Sequence, residues 1–351
     1  MKKILVDLYK AKSPYSGLGQ FSLQFAQEIS DNYCHNFEFH FLMPRNYNSE
    51  FSPLIKIIND SPLLRLWKSS HEQYDLWHSL YQLPSHRPPK NFKRLITIHD
   101  LNFLIEKEGS KKEKYLNKLI KDIKSVDYIS TISNYSKSQI EAYLPVNSKP
   151  IKVIHNGVKS LPDLRAKKPT FISSMKDKFF FSISLFSAKK NLEVLLPVMK
   201  NFPHYKLILA GNCNNAYGNS LKQTISDLNL QNQILLPGKI TDAEKAFLFE
   251  HCHAFFFPSK AEGFGMPVIE AMQFGKPVFI SNLTSLPEIG GDAAYYFDSF
   301  DPGKMTTDIN EGLKSHHENL NEREWRIMVQ AERFTWRRSM ASYMDLYHQI
   351  I

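Results

Sequence analysis

The sequence predicts an α/β protein made of two parallel-sheet halves, and three observations carry that expectation. Its 351 residues exceed what one hydrophobic core usually organises, so surface-to-volume scaling favours two domains. Short apolar runs alternate with longer helical patterns, as βαβ units require. The alternation is interrupted at 159–178, KSLPDLRAKKPTFISSMKDK, where prolines and charge replace periodicity.

In chain order, the strand-like runs of the first half are ILVDLY (4–9), FEFHFLM (37–43), LWHSL (76–80), RLITIHD (94–100) and YISTIS (128–133). The second half repeats the order with FFFSISLF (179–186), YKLILAG (205–211), QILLPG (233–238), AFFFPS (254–259), KPVFIS (276–281) and AAYYF (293–297). After Glu322 the spacing of Trp325, Met328, Val329 and Phe334, then Met340, Tyr343, Met344 and Tyr347, predicts one or two amphipathic helices.

Hydrophobic residues at 42% and charged residues at 23% suit a folded body and exclude a disordered chain. Cys34, Cys213 and Cys252 stand far apart without CxxC spacing, which fits a reducing cytoplasm. The start Met1-Lys2-Lys3 before ILVDLY is too short and too charged for a signal peptide or membrane span, so the sequons at Asn134 and Asn282 read as incidental. A net charge of +9 suits nucleic acid, an anionic membrane or a phosphate-bearing small molecule. The densest basic cluster, Lys111, Lys112, Lys114, Lys118, Lys121 and Lys124, has helical spacing with Leu116, Leu119, Ile120 and Ile123 between. It reads as a solvated helix face, or more sharply as a peripheral contact with anionic lipid. No zinc spacing or nucleic-acid module accompanies the charge, which argues against nucleic acid.

The most informative segment is PSKAEGFGMPVIEAMQFGKPVF, 258–279. Glu262 follows an apolar strand, at the carboxyl edge where open α/β sheets bind ligands. Gly263 and Gly265 let backbone pass close to a ligand, Pro267 suits a first helical turn, and the amides of Gly265 to Val268 are placed to face an anion. Glu270 is expected in that helix's first turn, where it can accept hydrogen bonds from hydroxyls. The bland explanation is that both glutamates simply favour a helix N-terminus. A sugar joined to a diphosphate would satisfy both features at once.

Elsewhere, SPYSGLGQFSLQFAQEIS (13–30) offers Gly17 and Gly19 between a strand and a helix, but Ser22 fills the last glycine position of a dinucleotide fingerprint. That leaves a nicotinamide-dependent oxidoreductase as a weak rival. His99 and Asp100 end the apolar run 94–100, and such a pair can act as a base and its orienting partner. There is no Asp-x-Asp, no His-Glu-x-x-His and no paired-cysteine site, so no metal site is expected. The pairs His251/His253 and His316/His317 read as surface or strand positions.

EGFGMPVIEAMQFGKPV resembles the nucleotide-sugar signature of the family-4 retaining glycosyltransferases, and the likeness spans nearly the whole chain. It implies a GT-B fold, two Rossmann-like domains whose parallel sheets face a central cleft. Residues 1–165 would form the acceptor-binding domain, with a closing helix at about 335–351 packing back on it, and 166–334 the nucleotide-sugar domain. It further implies that Glu262 contacts hydroxyls of the transferred sugar, that Gly263, Phe264, Gly265 and Met266 line sugar and diphosphate, and that Glu270 holds the ribose. SISLFSAKKNLEVLL (182–196) resembles the family's phosphate-binding loop, with Lys190 as the cation. Ser184 and Leu185 stand where relatives often carry Gly-Arg or Gly-Thr, which puts a second phosphate contact in doubt.

By the same likeness, the Gly17/Gly19 loop approaches the diphosphate, Gly238 in LPGKITDAE (236–244) flanks the base, and His99 contacts the donor sugar near the reacting carbon. Asn156 and Gly157 read as turn formers closing the first domain. The implied reaction is metal-independent glycosyl transfer with retention, needing no cofactor beyond the nucleotide-sugar co-substrate. His99-Asp100-Leu101 together with Ser285-Leu286-Pro287-Glu288 look closest to bacterial mannosyltransferases of cell-surface polysaccharide synthesis, which favours GDP-mannose over a UDP-hexose or UDP-N-acetylhexosamine. The expected acceptor is a lipid-linked or lipopolysaccharide-type saccharide at the inner face of the cytoplasmic membrane. A catalytically silent nucleotide-sugar-binding protein is the alternative from another class.

Overall fold

A computed structural model describes residues 1–14, 16–45, 50–60, 73–84, 86, 92–146, 148–172, 174 and 178–351. The chain divides into two compact units, Met1–Gly157 with Trp336–Ile351, and Val158–Thr335. Each is built on one parallel sheet. Part of the 159–178 connection lies outside the described residues.

The first unit runs β1 (Lys3–Asp7), α1 (Gly17–Glu28), β2 (Glu38–Met43), β3 (Lys56–Asn59), β4 (Leu76–Ser79), β5 (Lys93–Ile98), α2 (Phe103–Glu106), α3 (Gly109–Ile123), β6 (Tyr128–Thr131), α4 (Asn134–Tyr143) and β7 (Ile151–Val153). Its strands lie in the order β3-β2-β1-β4-β5-β6-β7. The alternation within β1 explains how the sheet is covered. Ile4 and Val6 enter one core with Phe21, Phe25, Phe39 and Phe41, while Leu5 points to the other face with Leu42 and Trp77.

The second unit contains β8 (Lys178–Ile183), α5 (Leu195–Val198), β9 (Tyr205–Ala210), α6 (Ala216–Asp227), β10 (Ile234–Gly238), α7 (Asp242–His251), β11 (Ala254–Phe257), α8 (Met266–Met272), β12 (Val278–Ser281), α9 (Leu286–Gly290), β13 (Tyr295–Phe297), α10 (Pro302–Glu318) and α11 (Leu320–Ala331). Its strand order is β10-β9-β8-β11-β12-β13. The phenylalanine runs of β8 and β11 are buried on both faces, as a covered parallel sheet demands. Helix α12 (Trp336–Ile350) follows this unit in sequence but belongs to the first. Its Trp336, Met340, Tyr343 and Tyr347 fill the core beside Phe21 and Phe25.

Several local expectations change. Strands β3 and β7 sit at the two edges of the first sheet without a long apolar run to announce them. The terminal stretch forms two helices, and only α12 buries the expected stripe. In α11 it is Ile327, Gln330 and Ala331 that face inward, while Trp325, Met328 and Val329 are exposed. Gly157 is not needed for a left-handed turn; a Cβ there would lie 2.4 Å from Trp336 Cα, so close approach to α12 explains it. The three cysteines are buried free thiols. Among the described residues, no helix is long and apolar enough to cross a membrane.

Candidate functional site

In the second sheet the chain steps from β8 outward through β9 to β10, then returns to lay β11 on the other flank of β8. Loops leaving β8 and β11 at their carboxyl ends therefore diverge over a common crevice, the topological switch point where doubly wound sheets take ligands. Lys190 and Glu262 sit on those two loops. Lys190 closes a single 3₁₀ turn, Ala188–Lys190, which ends because Asn191 adopts a left-handed conformation at φ 57°.

The Lys190 ammonium forms a very short ion pair with Glu262 Oε1, and Ser259 Oγ donates to the same oxygen at 2.7 Å. The Phe257 ring lies 5.0 Å beneath the ammonium. Backbone ties fix the two loops together, with the Lys260 amide donating to Lys189 O at 2.7 Å. Both charged side chains retain slight exposure, 13% for Lys190 and 12% for Glu262, so the pair is reachable yet poorly hydrated. Leu185, on the loop after β8, is 65% exposed.

Gly265 begins α8 at φ 114°, a conformation glycine tolerates, and a Cβ there would meet Leu286 Cδ2 at 2.8 Å. The Phe264 ring is an anchor, packed edge-on against Phe334 at 5.7 Å, which leaves its main chain as the part that can face a ligand. The expected row of amides is shorter than the sequence suggests. Pro267 has no N–H, and the Val268 amide donates to Gly265 O at 3.0 Å. Gly263 and Met266 flank the same turn, Gly263 buried and Met266 half-buried.

Glu270 falls in the second turn of α8, not the first, because the helix starts only at Met266. A helix-terminus preference therefore explains neither glutamate, since Glu262 lies outside the helix altogether. Glu270 Oε1 is bound instead by the Lys245 ammonium at 2.7 Å, and Lys245 lies 3.4 Å from Asp242. Burial pushes the Glu270 carboxyl above its ordinary pKa against the pull of Lys245. Burial works against the Lys245 charge too, but Glu270 and Asp242 outweigh it and raise its pKa. Lys245 carried no local motif. Gly238 ends β10 at φ 80° with open space where a Cβ would go, so the left-handed backbone and not crowding explains the glycine.

The remaining candidates lie in the first unit. Gly17 and Gly19 are inside the first turn of α1 rather than in a loop before it, because Ser16 caps the helix and accepts from the Gly19 amide at 3.1 Å. A Cβ on Gly19 would stand 1.9 Å from Ser13 O. His99 lies just beyond β5, buried edge-on against Phe21 at 4.8 Å. Its Nε2–H donates to Leu80 O at 2.9 Å, which fixes the tautomer and leaves Nδ1 as the acceptor. Burial pulls its pKa down to about 4, against the hydrogen bond to Leu80, so the ring is neutral near pH 7. The carbonyl of Leu80, not Asp100, orients the ring; Asp100 Oδ1 accepts from the Asn102 amide at 2.9 Å. His78 is structural. It bonds Tyr347 OH at 2.6 Å and Thr97 Oγ1 at 2.8 Å, tying α12 to the sheet.

Among the described residues, no group of three or more His, Cys, Asp or Glu side chains is placed to hold a metal ion. The second unit's crevice thus offers a carboxylate bound by both a cation and a serine hydroxyl, with a second carboxylate on α8.

Comparison with known proteins gives two family matches, Glycosyltransferase Family 4 over residues 25–160 and Glycosyl transferases group 1 over 165–324. The chain is 26% identical to O-antigen chain mannosyltransferase B of Escherichia coli over 98% of its own length and 99% of the relative's. It is 25% identical to O-antigen chain mannosyltransferase RfbU of Salmonella typhimurium over 85% of this chain and 87% of that one. A GDP-mannose:cellobiosyl-diphosphopolyprenol alpha-mannosyltransferase of Xanthomonas oryzae is 23% identical over 46% of this chain and 43% of that one. In fold it is similar to sucrose-phosphate synthase from Thermosynechococcus elongatus, with a TM-score of 0.80 at 16% identity, covering 100% of this chain and 99% of that one. The Anabaena protein HepE, solved with UDP and glucose, gives 0.73 at 17% identity over 99% and 100%.

Proposed function

The chain belongs to the glycosyltransferases, its first unit matching family 4 and its second group 1, and from that premise we propose that it transfers mannose from GDP-mannose, with retention, to a saccharide acceptor of a lipid-linked surface glycan. The observation that carries the reading is the contact of Lys190, Glu262 and Ser259 at the switch point of β8 and β11. In a nucleotide sugar the anomeric phosphate and the sugar hydroxyls are only a few bonds apart. A cation and a carboxylate already in contact match that spacing.

As the donor enters, Lys190 exchanges Glu262 for the diphosphate and stabilises the charge that grows on the leaving group. Glu262 then accepts hydrogen bonds from sugar hydroxyls, and Glu270, pinned by Lys245, takes the ribose. The leaving phosphate assists deprotonation of the acceptor on the same face of the sugar. A neutral His99 suits a hydrogen-bonding role toward the sugar better than that of a general base, because a base of pKa about 4 has little drive to take a hydroxyl proton. The mannosyl choice is supported by the relatives named mannosyltransferases.

Thermal-shift measurements with GDP, UDP, ADP and their sugars test the donor, since a ligand of the folded state raises apparent stability. GDP and GDP-mannose are expected to stabilise most. Stabilisation by UDP sugars alone would replace the donor assignment, and stabilisation by nucleotide without hydrolysis or transfer would mark a silent binder. Turnover of GDP-mannose unaffected by both Glu262→Ala and His99→Ala would overturn the site.

Helix α3 supports a peripheral membrane location. It exposes Lys111, Lys114, Lys118 and Lys121, and Lys124 beyond its end, while Leu119 and Ile123 are buried and Ile105 of α2 is 60% exposed beside it. Cosedimentation with phosphatidylglycerol vesicles at low salt, lost at high salt, is the expected result; absence of binding at low salt would reject it.

A further inference from the structure

The segment Ser285-Leu286-Pro287-Glu288 stood out in the sequence, but the donor contacts give it no task. Its position does. The loop 262–265 has two glycines and no secondary structure of its own, so something outside it must fix its shape. Its buried peptide groups also need partners. The Glu262 amide donates to Thr284 Oγ1 at 3.1 Å. The Ser285 hydroxyl lies 3.1 Å from Glu262 O and 3.0 Å from Phe264 O, donating between them. Leu286 Cδ2 fills the space beside Gly265. Contacts thus fall on both sides of Gly263.

Thr284 makes its contact at a conformational cost. Its φ is 57°, in the left-handed region, where a β-branched residue is an outlier and glycine or asparagine is relaxed. A relaxed residue would serve the turn better, but glycine would offer no side-chain acceptor to the Glu262 amide. Strain held at one residue while neighbouring bonds over-determine the geometry is the pattern found where backbone shape serves function.

We propose that Thr284 and Ser285 brace the Glu262 loop in the shape that reads the transferred sugar, and that Thr284 holds a strained backbone to do so. Thr284 is a positioning residue, acting through Glu262, and the inference rests on the donor role given to Glu262 above.

The test compares Thr284→Gly with Thr284→Ser in the full chain. Thr284→Gly relieves the strain and removes the acceptor, so its melting temperature should be no lower than wild type while kcat for GDP-mannose turnover falls about 10- to 100-fold, the range that small misplacements cost. Donor KM should change far less, because the nucleotide is held elsewhere. Thr284→Ser keeps the hydroxyl and should restore most of kcat. Residue-resolved hydrogen exchange supplies a readout without turnover, the Glu262 amide exchanging about tenfold faster or more in Thr284→Gly. Unchanged kcat in Thr284→Gly, or activity that merely follows melting temperature in both variants, would overturn the brace. If wild type turns over no GDP-mannose, the donor reading fails, and the exchange rate alone then decides: faster exchange upholds the brace and unchanged exchange rejects it.

Discussion

Replacing Lys245 by methionine removes the ammonium that sits 2.7 Å from Glu270 but keeps most of the side-chain volume. Each partner's side chain is 14% exposed, so the pair is largely desolvated. At an effective dielectric near 20, Coulomb's law gives the contact a gross attraction of about 6 kcal/mol, most of it offset by the cost of burying both ions. The variant loses the attraction and keeps the buried carboxylate, so the net penalty should be about 2–4 kcal/mol. For a unit of this size that corresponds to a fall of roughly 5–12 °C in melting temperature.

The pH dependence has a definite sign. Burial already raises the Glu270 pKa, and without Lys245 it rises further, so the folded state increasingly prefers the neutral acid. Stability is then retained at low pH and lost as pH rises through the folded-state pKa. Lys245→Met should therefore be less damaging at pH 5 than at pH 8. Adding Glu270→Leu should recover most of the loss, since removing both charges is close to neutral. Urea denaturation of wild type, both single variants and the double variant at the two pH values gives the cycle. A loss below about 0.5 kcal/mol at pH 8, or a double variant no more stable than Lys245→Met, would refute the reasoning.

Three other outcomes follow from the first unit. Asp7 ends β1, and burial lifts its pKa to about 6, against the Tyr9 amide bond. Its fold contribution is greatest below the ordinary carboxyl pKa and fades as pH approaches 6, by about 2–3 kcal/mol, so the stability difference between Asp7→Asn and wild type should grow in favour of the variant from pH 4 to pH 7. His78, held neutral by burial with its pKa near 3, behaves oppositely: its stability is intact above pH 6.5 and is lost as pH falls. Conversion to glutamine should remove about 2 kcal/mol of acid destabilisation between pH 7 and pH 5, read by denaturant midpoints. Gly157→Ala forces a methyl group to within 2.4 Å of Trp336 Cα, and should cost about 1–3 kcal/mol as α12 shifts, seen as a lower melting temperature.

The parts of the fold that the chain announces are those whose own side chains are buried. The phenylalanines of β8 and β11 and the isoleucine and valine positions of β1 mark strands because both sheet faces are covered. Strand β3 has Ile57 40% exposed and exists through pairing with β2, from His40–Lys56 to Met43–Asn59, which no local pattern encodes. The stripe Trp325, Met328, Val329 has helical spacing and does lie on a helix, but periodicity cannot say which face is covered. At the site, Glu262 was legible because glycines, proline and strand signals crowd around it. Lys245 was not, because it reaches Glu270 across 25 positions, and the sequence signals at the start of its helix, LPGKITDAE and the Thr241–Glu244 capping box, stop one residue short of it. Nor was Thr284, whose significance lies in a dihedral angle.

If the crevice takes a diphosphate as proposed, the exposed Leu185 supplies no second cation for it. Buried polar atoms in folded proteins almost always find partners, so a local concentration without them calls for an explanation. Along β8 and the loop that follows it, Ser182 Oγ, Ser184 Oγ, Ser187 Oγ and both amide atoms of Asn191 are buried with no hydrogen-bond partner among the described residues. This stretch contains Lys190. In the proposed reaction, neutral hydroxyl and amide donors there would share the diphosphate with one lysine. Hydroxyl donors hold phosphate oxygens less strongly than a guanidinium but cost less to desolvate when the site is empty. On that reading, Leu185, where the family resemblance leads one to expect arginine or threonine, would shift the donor's phosphate contacts from charge toward hydrogen bonding and leave Lys190 as their main cation.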